Sequence, residues 1–192
     1  MLVDFFDCLV EHPVIATIND TENLDKALNS PCKIIFLLSG NIFNLEYIVN
    51  KVNDKNKSIY IHIDAIDGFS KDVVALRYIT RNIRPQGIIT AKDSLIKYAK
   101  DMSIFAIQRI YLSDSHSIDV GIRIARATRP NVIEVLPGVI PKATKTIKDS
   151  VNIPLIAGGL MMDKNDIMKS IDAGAIGVST SKENLWHIRD FN

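Results

Sequence analysis

The sequence is poor in cysteine, with only Cys8 and Cys32 among its 192 residues. They lie far apart and belong to no CxxC motif or Cys/His cluster, so neither a metal site nor a redox pair is predicted. Thiols this sparse are typical of a reducing compartment, and the chain is long enough to bury a core without disulfides or metal. We therefore expect a cytoplasmic protein.

Long apolar runs and a basic N-terminal region are also missing. No segment reaches the ~18–20 apolar residues that a membrane-spanning helix needs. The opening segment MLVDFFDCLVEH has acidic residues where a secretory signal peptide would have basic ones. We expect neither a membrane partner nor secretion.

The chain has almost no net charge, since 23 Lys and Arg face 22 Asp and Glu. This excludes a uniformly basic nucleic-acid-binding protein. The charges are nevertheless unevenly distributed along the chain. Residues 71–148 contain 14 basic and 6 acidic residues, a local net charge of +8, which leaves −7 for the remainder. Such an asymmetry is a hint of an anionic partner.

Short β-branched segments, in contrast, recur along the whole chain. There are eight: VIATI from Val14, IIFLL from Ile34, IYIHI from Ile59, GIIT from Gly87, FAIQ from Phe105, VIEVL from Val132, PLIA from Pro154 and AIGVS from Ala175. Most are apolar at both alternating positions, which is typical of parallel strands covered on both faces. Amphipathic segments follow them, over residues 21–28, 45–53, 71–82, 94–100, 118–127, 142–149, 164–172 and 183–189.

Strand then helix, repeated eight times, predicts an α/β fold of the compact (β/α)8 TIM-barrel type, with a single domain over residues 1–192. An open doubly wound sheet is the main alternative. It is disfavoured because such a sheet normally has a glycine-rich turn after its first strand, and VIATINDTE contains no glycine. Residues 1–13 are predicted to form an additional N-terminal helix that covers the bottom of the barrel.

Polar residues concentrate where the predicted strands end, which is where barrels carry function. His62 and Asp64 share one face of their strand because they are two residues apart. Gln108 and Glu134 each have apolar neighbours of the opposite parity. We predict that these four side chains form a polar ring that faces the mouth of the barrel. The alternative is a purely structural pair between Glu134 and His62, since buried charges need partners.

Two glycines and two hydroxyls follow the last two strands. They are Gly158 and Gly159 in IAGGLM, and Ser179 and Thr180 in GVSTSKENLW. Glycine lets backbone N–H groups approach an anion closely, and many barrels hold a phosphate at these two loops. A phosphate site is therefore predicted. The alternatives are a tight turn and a helix cap, because Thr180 and Glu183 have capping-box spacing.

Basic residues recur at helical spacing in three predicted helices. The three stripes are Arg77, Arg81 and Arg84; Arg123, Arg126 and Arg129; and Lys142, Lys145 and Lys148. The last two stripes lie on neighbouring helices of a barrel, so we expect them to share a surface. The alternative is a solvated outer face, which is the usual role of charged stripes. Aromatic residues for base stacking are sparse here.

The sequence offers few candidates for catalysis. Lys92 could form a Schiff base, and His62 or Glu134 could move protons. Sugar-isomerising barrels of histidine biosynthesis have carboxylates after strands one and five, whereas Gln108 and Arg109 follow strand five here. An amide beside a permanent cation favours ligand recognition. We therefore predict no catalytic residue, no metal and no cofactor.

The strand-end motifs, in this order, resemble the glycerol-3-phosphate-responsive antiterminators of Gram-positive bacteria. The segments that carry the resemblance are PVIATI, IIFLLSGNI, IHIDAIDGFS, GIITAK, IQRIYLSDS, IEVLPGVIPK, PLIAGGLM and IGVSTSKENLW. The resemblance implies a non-catalytic regulator that senses glycerol 3-phosphate as its effector. It also implies action on the leader mRNA of glycerol-catabolism genes, where termination is prevented.

Together with the resemblance, the strand-end residues can be assigned roles. Gly158, Gly159, Ser179 and Thr180 would contact the phosphate, whereas Asp64, Gln108 and Glu134 would contact the glycerol hydroxyls, with Arg109 near the ligand or a loop. The RNA candidates are Arg123, Arg126, Lys142, Lys145 and Lys148. Two other functions stay open: a small phosphate-binding-barrel isomerase or lyase that acts on a polyol or sugar phosphate, and a phosphate-sensing scaffold that binds protein. A homodimer also stays open.

Overall fold

A computed structural model describes residues 4–191 as a closed barrel of eight parallel strands, arranged in the order in which they occur in the sequence. The strands are β1 (Val14–Ile18), β2 (Ile34–Leu37), β3 (Ser58–His62), β4 (Gly87–Thr90), β5 (Phe105–Tyr111), β6 (Val132–Leu136), β7 (Leu155–Gly158) and β8 (Gly177–Thr180). Pairing of β1 with β8 closes the barrel. The predicted (β/α)8 fold is thereby confirmed.

Helices alternate with these strands, and one further helix precedes them. They are α1 (Phe5–Glu11), α2 (Leu24–Asn29), α3 (Leu45–Asn53), α4 (Val73–Tyr78), α5 (Asp93–Asp101), α6 (Ser115–Thr128), α7 (Pro141–Ser150), α8 (Lys164–Asp172) and α9 (Glu183–Trp186). Helix α1 confirms the predicted additional helix, although residues 1–3 of its predicted range lie outside the described residues. In the part of the chain that the structure describes, no helix has both the length and the apolar character needed to cross a bilayer.

The predicted helix over residues 71–82 is divided in two. Helix α4 is continued by a π-helical turn over Ile79–Ile83, and the segment ends at Arg84, whose φ of 58° is left-handed. Asp72 begins the helix by accepting hydrogen bonds from the backbone N–H groups of Val74 and Ala75. This carboxylate satisfies donors that the first helical turn cannot pair internally.

The two faces of each strand pack into separate apolar layers. Ile15, Phe36 and Ile156 belong to the cluster inside the barrel, whereas Ile35 and Val178 pack against the helices. Successive residues of a strand point to opposite faces, so a strand that is covered on both sides must be apolar throughout. The inward-facing polar side chains lie beyond this inner cluster, at the carboxyl ends of the strands.

Helix α1 closes the opposite end of the barrel with an aromatic side chain. The Phe5 ring is 4% exposed and lies 5.1 Å from the Tyr60 ring and 4.9 Å from the Phe105 ring, measured between ring centroids. The neighbouring Phe6 is 40% exposed. The side chain of Asp4 fixes the start of the helix by accepting a hydrogen bond from the backbone N–H of Phe6 at 2.8 Å. Phe5 therefore packs into the bottom of the barrel.

We expect Phe5→Ala to lower the free energy of unfolding by about 3–5 kcal/mol, because it opens a cavity among buried aromatic rings. The matched variant Phe6→Ala should cost only about 1 kcal/mol or less, since that ring is largely exposed. Urea denaturation followed by the fluorescence of the single tryptophan, the buried Trp186, measures both. Equal losses in the two variants would show that α1 does not seal the barrel through Phe5.

Candidate functional site

A cavity of about 300 Å³ opens at the carboxyl ends of the strands. Its wall combines strand residues with residues of the loops after β7 and β8, among them Thr17, Arg109, Glu134, Gly159, Ser179 and Lys182. This volume is at the lower end of the range for small-molecule sites. The position agrees with the rule that barrels carry their functional sites at this end.

A buried ion pair forms the floor of the cavity. The Nε of Arg109 donates to Oε2 of Glu134 at 2.7 Å, and their side chains are 4% and 1% exposed. The hydroxyl of Ser179 donates to the other carboxylate oxygen, Oε1, at 2.6 Å. Both oxygens of Glu134 are therefore engaged. Three strands, β5, β6 and β8, are joined by this network.

Strand register places the two charges together. Arg109 and Glu134 are directly paired residues of β5 and β6, so their inward-facing side chains are neighbours. Burial by itself lowers the pKa of Arg109, but the negative charge of Glu134 and its hydrogen bond outweigh burial, so the net pKa is raised. The guanidinium is therefore a permanent cation in the cavity wall, and the carboxylate balances its charge.

Gly158 provides the space for this network. A Cβ atom at this position would overlap Oγ of Ser179 and lie 2.9 Å from Oε1 of Glu134. Any larger residue would thus separate the two hydrogen-bonded groups. The following Gly159 has a φ of +76°, a conformation that glycine adopts without strain, and it lines the cavity. A backbone contact from either glycine to phosphate stays a prediction.

The two predicted hydroxyls already have partners. Ser179 donates to Glu134, and Oγ1 of Thr180 accepts a hydrogen bond from the backbone N–H of Lys182 at 3.2 Å. The backbone oxygen of Thr180 accepts a second bond, from Nε1 of Trp186 at 2.7 Å. No capping box forms with Glu183, because α9 begins after Lys182 without a side-chain cap. Phosphate contacts from these hydroxyls stay a prediction.

Gln108 does not belong to the polar ring, so the prediction that it faces the mouth is wrong. Its Oε1 accepts a hydrogen bond from the hydroxyl of Thr128 in α6, and its Nε2 donates to Asp93 in α5 at 3.2 Å. Alternation along β5 puts Gln108 on the helix-facing side and Arg109 inside. The sequence signal for this orientation was Ile107, an apolar residue two positions before Arg109, because the two residues share the inner face of β5.

His62 ends β3 and Asp64 follows it, and neither is among the residues that line the cavity. Oδ2 of Asp64 accepts hydrogen bonds from Oγ1 of Thr90 at 2.7 Å and from the backbone N–H of Ala91 at 3.1 Å. The predicted alternative, a pair between His62 and Glu134, is not formed, because the partner of Glu134 is Arg109.

His62 is the member of the predicted polar ring whose two ring nitrogens are both unused. It is 8% exposed, and neither ring nitrogen has a hydrogen-bond partner among residues 4–191. Burial lowers the pKa of His62 to about 4, and the positive charge of Arg109 adds to the shift. The imidazole is therefore neutral at physiological pH. Each buried polar atom without a partner costs about 1–3 kcal/mol, which is a reason to look for a ligand here.

Two of the three predicted cationic stripes lie along the adjacent helices α6 and α7. Arg123, Lys142 and Lys145 are exposed, and Lys145 forms an exposed ion pair with Asp149 at 3.1 Å. Arg126 is exposed as well, but its Nη2 donates to the backbone oxygen of Ser150 at 2.7 Å and so links the two helices.

Two other predicted residues, Lys148 and Lys92, make contacts within the protein. Lys148 is half-buried, and its alkyl chain packs against Gly174, where a Cβ atom would lie 2.9 Å from Cγ of the lysine. Lys92, the candidate for Schiff-base chemistry, is exposed and donates to the backbone oxygen of Lys71 at 2.8 Å. Within residues 4–191, no three side chains of His, Cys, Asp or Glu are grouped as a metal site would require.

We expect Glu134→Gln to lower the free energy of unfolding by about 3–5 kcal/mol, because it leaves the Arg109 charge buried without its counter-charge. The matched variant Ser179→Ala keeps the ion pair and removes one hydrogen bond, so about 1–2 kcal/mol should be lost. Urea denaturation of the ligand-free protein measures both. A loss in Glu134→Gln no larger than that in Ser179→Ala would contradict the central role of the ion pair.

The free energy of unfolding should fall as the pH decreases from 7 to 5. Unfolding returns His62 from a pKa of about 4 to its ordinary value of 6.5, so the unfolded chain binds a proton that the folded chain does not. Burial also lowers the pKa of His12, which acts in the same direction. We expect His62→Gln to flatten this slope, measured by urea denaturation at each pH. The control His116→Gln, at an exposed position, should retain the full slope.

The chain is similar to known proteins over most of its length. Residues 14–186 match the family model described as glycerol-3-phosphate responsive antiterminator. The uncharacterized protein YgcP of Escherichia coli (strain K12) is 35% identical over 181 residues, which is 93% of each chain.

Two solved structures are also similar to this chain in sequence and in fold. A glycerol uptake operon antiterminator regulatory protein from Listeria monocytogenes shares 29% identity, covers 91% of this chain and 95% of its own, and superimposes with a TM-score of 0.88. A glycerol uptake operon antiterminator-related protein from Thermotoga maritima shares 26% identity, covers 90% and 96%, and has a TM-score of 0.79. Aldolases and a decarboxylase at 11–16% identity share the fold alone. Because the family model spans nearly all of the barrel, the chain belongs to the glycerol-3-phosphate responsive antiterminators.

Proposed function

We propose that this protein binds glycerol 3-phosphate at the mouth of the barrel and, in response, binds the leader mRNA of glycerol-catabolism genes. The observation that carries the proposal is the cavity beside the Arg109–Glu134 pair, since its wall combines a permanent cation with the loops after β7 and β8. Membership of the antiterminator family supports a regulatory role.

The phosphate is best accommodated between the two loops. Gly159 and Thr180 line the cavity there, and Lys182 adds a second cation to Arg109. An anion near these groups gains both charge attraction and close access to the backbone at the glycine. The ligand hydroxyls would then point toward the β3 side of the mouth, where Asp64 lies. Gln108, which faces α5 and α6, has no part in this arrangement.

Binding is favoured over catalysis by the state of the ionisable groups in the mouth. Both oxygens of Glu134 already accept hydrogen bonds, and Arg109 cannot donate a proton at physiological pH. His62, with its pKa lowered to about 4, is a weak base. The alternative is an isomerase or lyase that acts on a polyol or sugar phosphate, and the enzymes among distant barrels of this fold keep it open. Turnover of glycerol 3-phosphate would favour that alternative, provided that Glu134→Gln abolishes it.

A route from ligand to RNA surface runs through the loop between β6 and α7. Leu136 lines the cavity, and two residues later the backbone N–H of Gly138 donates to the backbone oxygen of Gly158 at 2.6 Å. The hydroxyl of Ser170 in α8 donates a hydrogen bond to the backbone oxygen of Gly138 at 3.2 Å. Helix α7, which carries Lys142, begins directly after this loop. A ligand that moves Leu136 would thus shift α7, and this is the coupling that we propose.

The proposed RNA surface consists of the exposed cations of α6 and α7. Arg123, Arg126, Lys142 and Lys145 are exposed, and Lys148 is half-buried beside them. Contacts of this kind to RNA phosphates release bound counterions, so affinity should fall steeply with salt. A phosphate-sensing scaffold that binds protein through the same surface would not show this salt-dependent affinity for RNA.

The decisive experiment is a titration of leader RNA at fixed salt, with and without glycerol 3-phosphate. We expect the ligand to tighten RNA binding at least about fivefold, the lower end of typical allosteric coupling. Equal affinities in the two titrations would refute the proposal. A thermal shift with glycerol 3-phosphate, absent with glycerol or phosphate alone, would identify the ligand independently.

Charge reversal tests the RNA surface. The double variant Lys142→Glu/Lys145→Glu should weaken RNA binding about tenfold or more and reduce the salt dependence. Lys97→Glu/Lys100→Glu on α5 makes the same change in net charge at two exposed positions and should have a smaller effect. If both double variants bind RNA alike, α7 is not the interface, and the protein-binding scaffold gains support.

A further inference from the structure

The side chain of His62 faces the inside of the barrel at the carboxyl end of β3, and its hydrogen-bonding groups are unused. Tyr60, two residues earlier on β3, belongs to the cluster inside the barrel, so His62 shares the inward face. The residue is 8% exposed, and neither Nδ1 nor Nε2 has a partner among the residues that the structure describes. A buried imidazole in this state can offer one N–H donor and one nitrogen acceptor to a ligand.

Asp64 presents a fixed acceptor next to this ring. Its Oδ2 accepts hydrogen bonds from Thr90 and Ala91, whereas its Oδ1 is buried and has no partner among residues 4–191. The Nε2 of His62 lies 3.9 Å from Oδ2 of Asp64, which is too long for a hydrogen bond between them. The two side chains are therefore close without satisfying each other.

The unused groups define what would satisfy them. The carboxylate accepts hydrogen bonds and repels a second anion, while a neutral imidazole donates one hydrogen bond and accepts one. Hydroxyl groups both donate and accept, so two neighbouring hydroxyls match this set and a phosphate does not. Arg109 connects the two regions, because it lines the cavity and its charge acts on His62.

We propose that His62 and Asp64 form a subsite that reads the vicinal hydroxyls of the ligand, with His62 as a specificity-determining residue. This inference rests on the proposed function, since it orients a ligand whose phosphate lies at the loops after β7 and β8. One hydroxyl donates to Oδ1 of Asp64, and its neighbour bonds to the imidazole of His62. The subsite thereby distinguishes a polyol phosphate from a simple alkyl phosphate.

The test compares two phosphate esters that differ only by the two hydroxyls: glycerol 3-phosphate and propyl phosphate. Their affinities are measured by calorimetry for the wild-type protein and for two variants. His62→Phe removes both ring nitrogens, while Asp64→Asn can keep its bonds to Thr90 and Ala91 and puts a donor where the free acceptor was. We expect each variant to lose about tenfold or more in affinity for glycerol 3-phosphate, and less than about threefold for propyl phosphate.

A matched control tests whether the removal of any buried polar group lowers the affinity for the ligands. Oγ1 of Thr144, in α7, is likewise buried without a partner among residues 4–191, so Thr144→Val should leave both affinities unchanged. Unchanged affinity in the His62 and Asp64 variants, or an equal loss for both ligands, would overturn the subsite while the proposed function stands. A wild-type protein that binds neither phosphate ester would overturn the proposed function, and the subsite with it.

Discussion

The buried pair of Arg109 and Glu134 is the interaction on which the mouth of this barrel depends. A lone charge at this depth would be costly, so each partner requires the other. Ser179 then uses the remaining carboxylate oxygen, and Gly158 is confined to glycine because any side chain would occupy the space between them. Three strands, β5, β6 and β8, are thus joined by one polar network, and β7 contributes the glycine that leaves room for it.

This network also divides the mouth into two chemically different halves. On one side, the loops after β7 and β8 bring glycine backbone and Lys182 to the cavity, an environment suited to an anion. On the other side, Asp64 and His62 offer an acceptor and a neutral imidazole, an environment suited to hydroxyls. Arg109 lies between them. A ligand with a phosphate at one end and hydroxyls at the other matches both halves at once.

Prediction from sequence succeeded where a pattern repeats and failed where one position decided the answer. The eight strands were predictable because burial on both strand faces leaves a long apolar signature, and the additional N-terminal helix was predictable as well. Gln108 was misassigned because an error of one residue in the assumed register of a strand exchanges the two faces. Its neighbour Arg109, identified as a ligand candidate, is the side chain that faces inward, and the partner in β6 that explains this is 25 residues away in the chain.

The sequence by itself determined the barrel and the family, because these follow from periodicity and from motifs that are local in the chain. Only the tertiary structure decided which polar residues meet. Strand register pairs Arg109 with Glu134, and barrel closure brings Ser179 to the same carboxylate. The unused nitrogens of His62 likewise appear only in three dimensions, since the absence of a partner is a property of the surroundings and not of the residue.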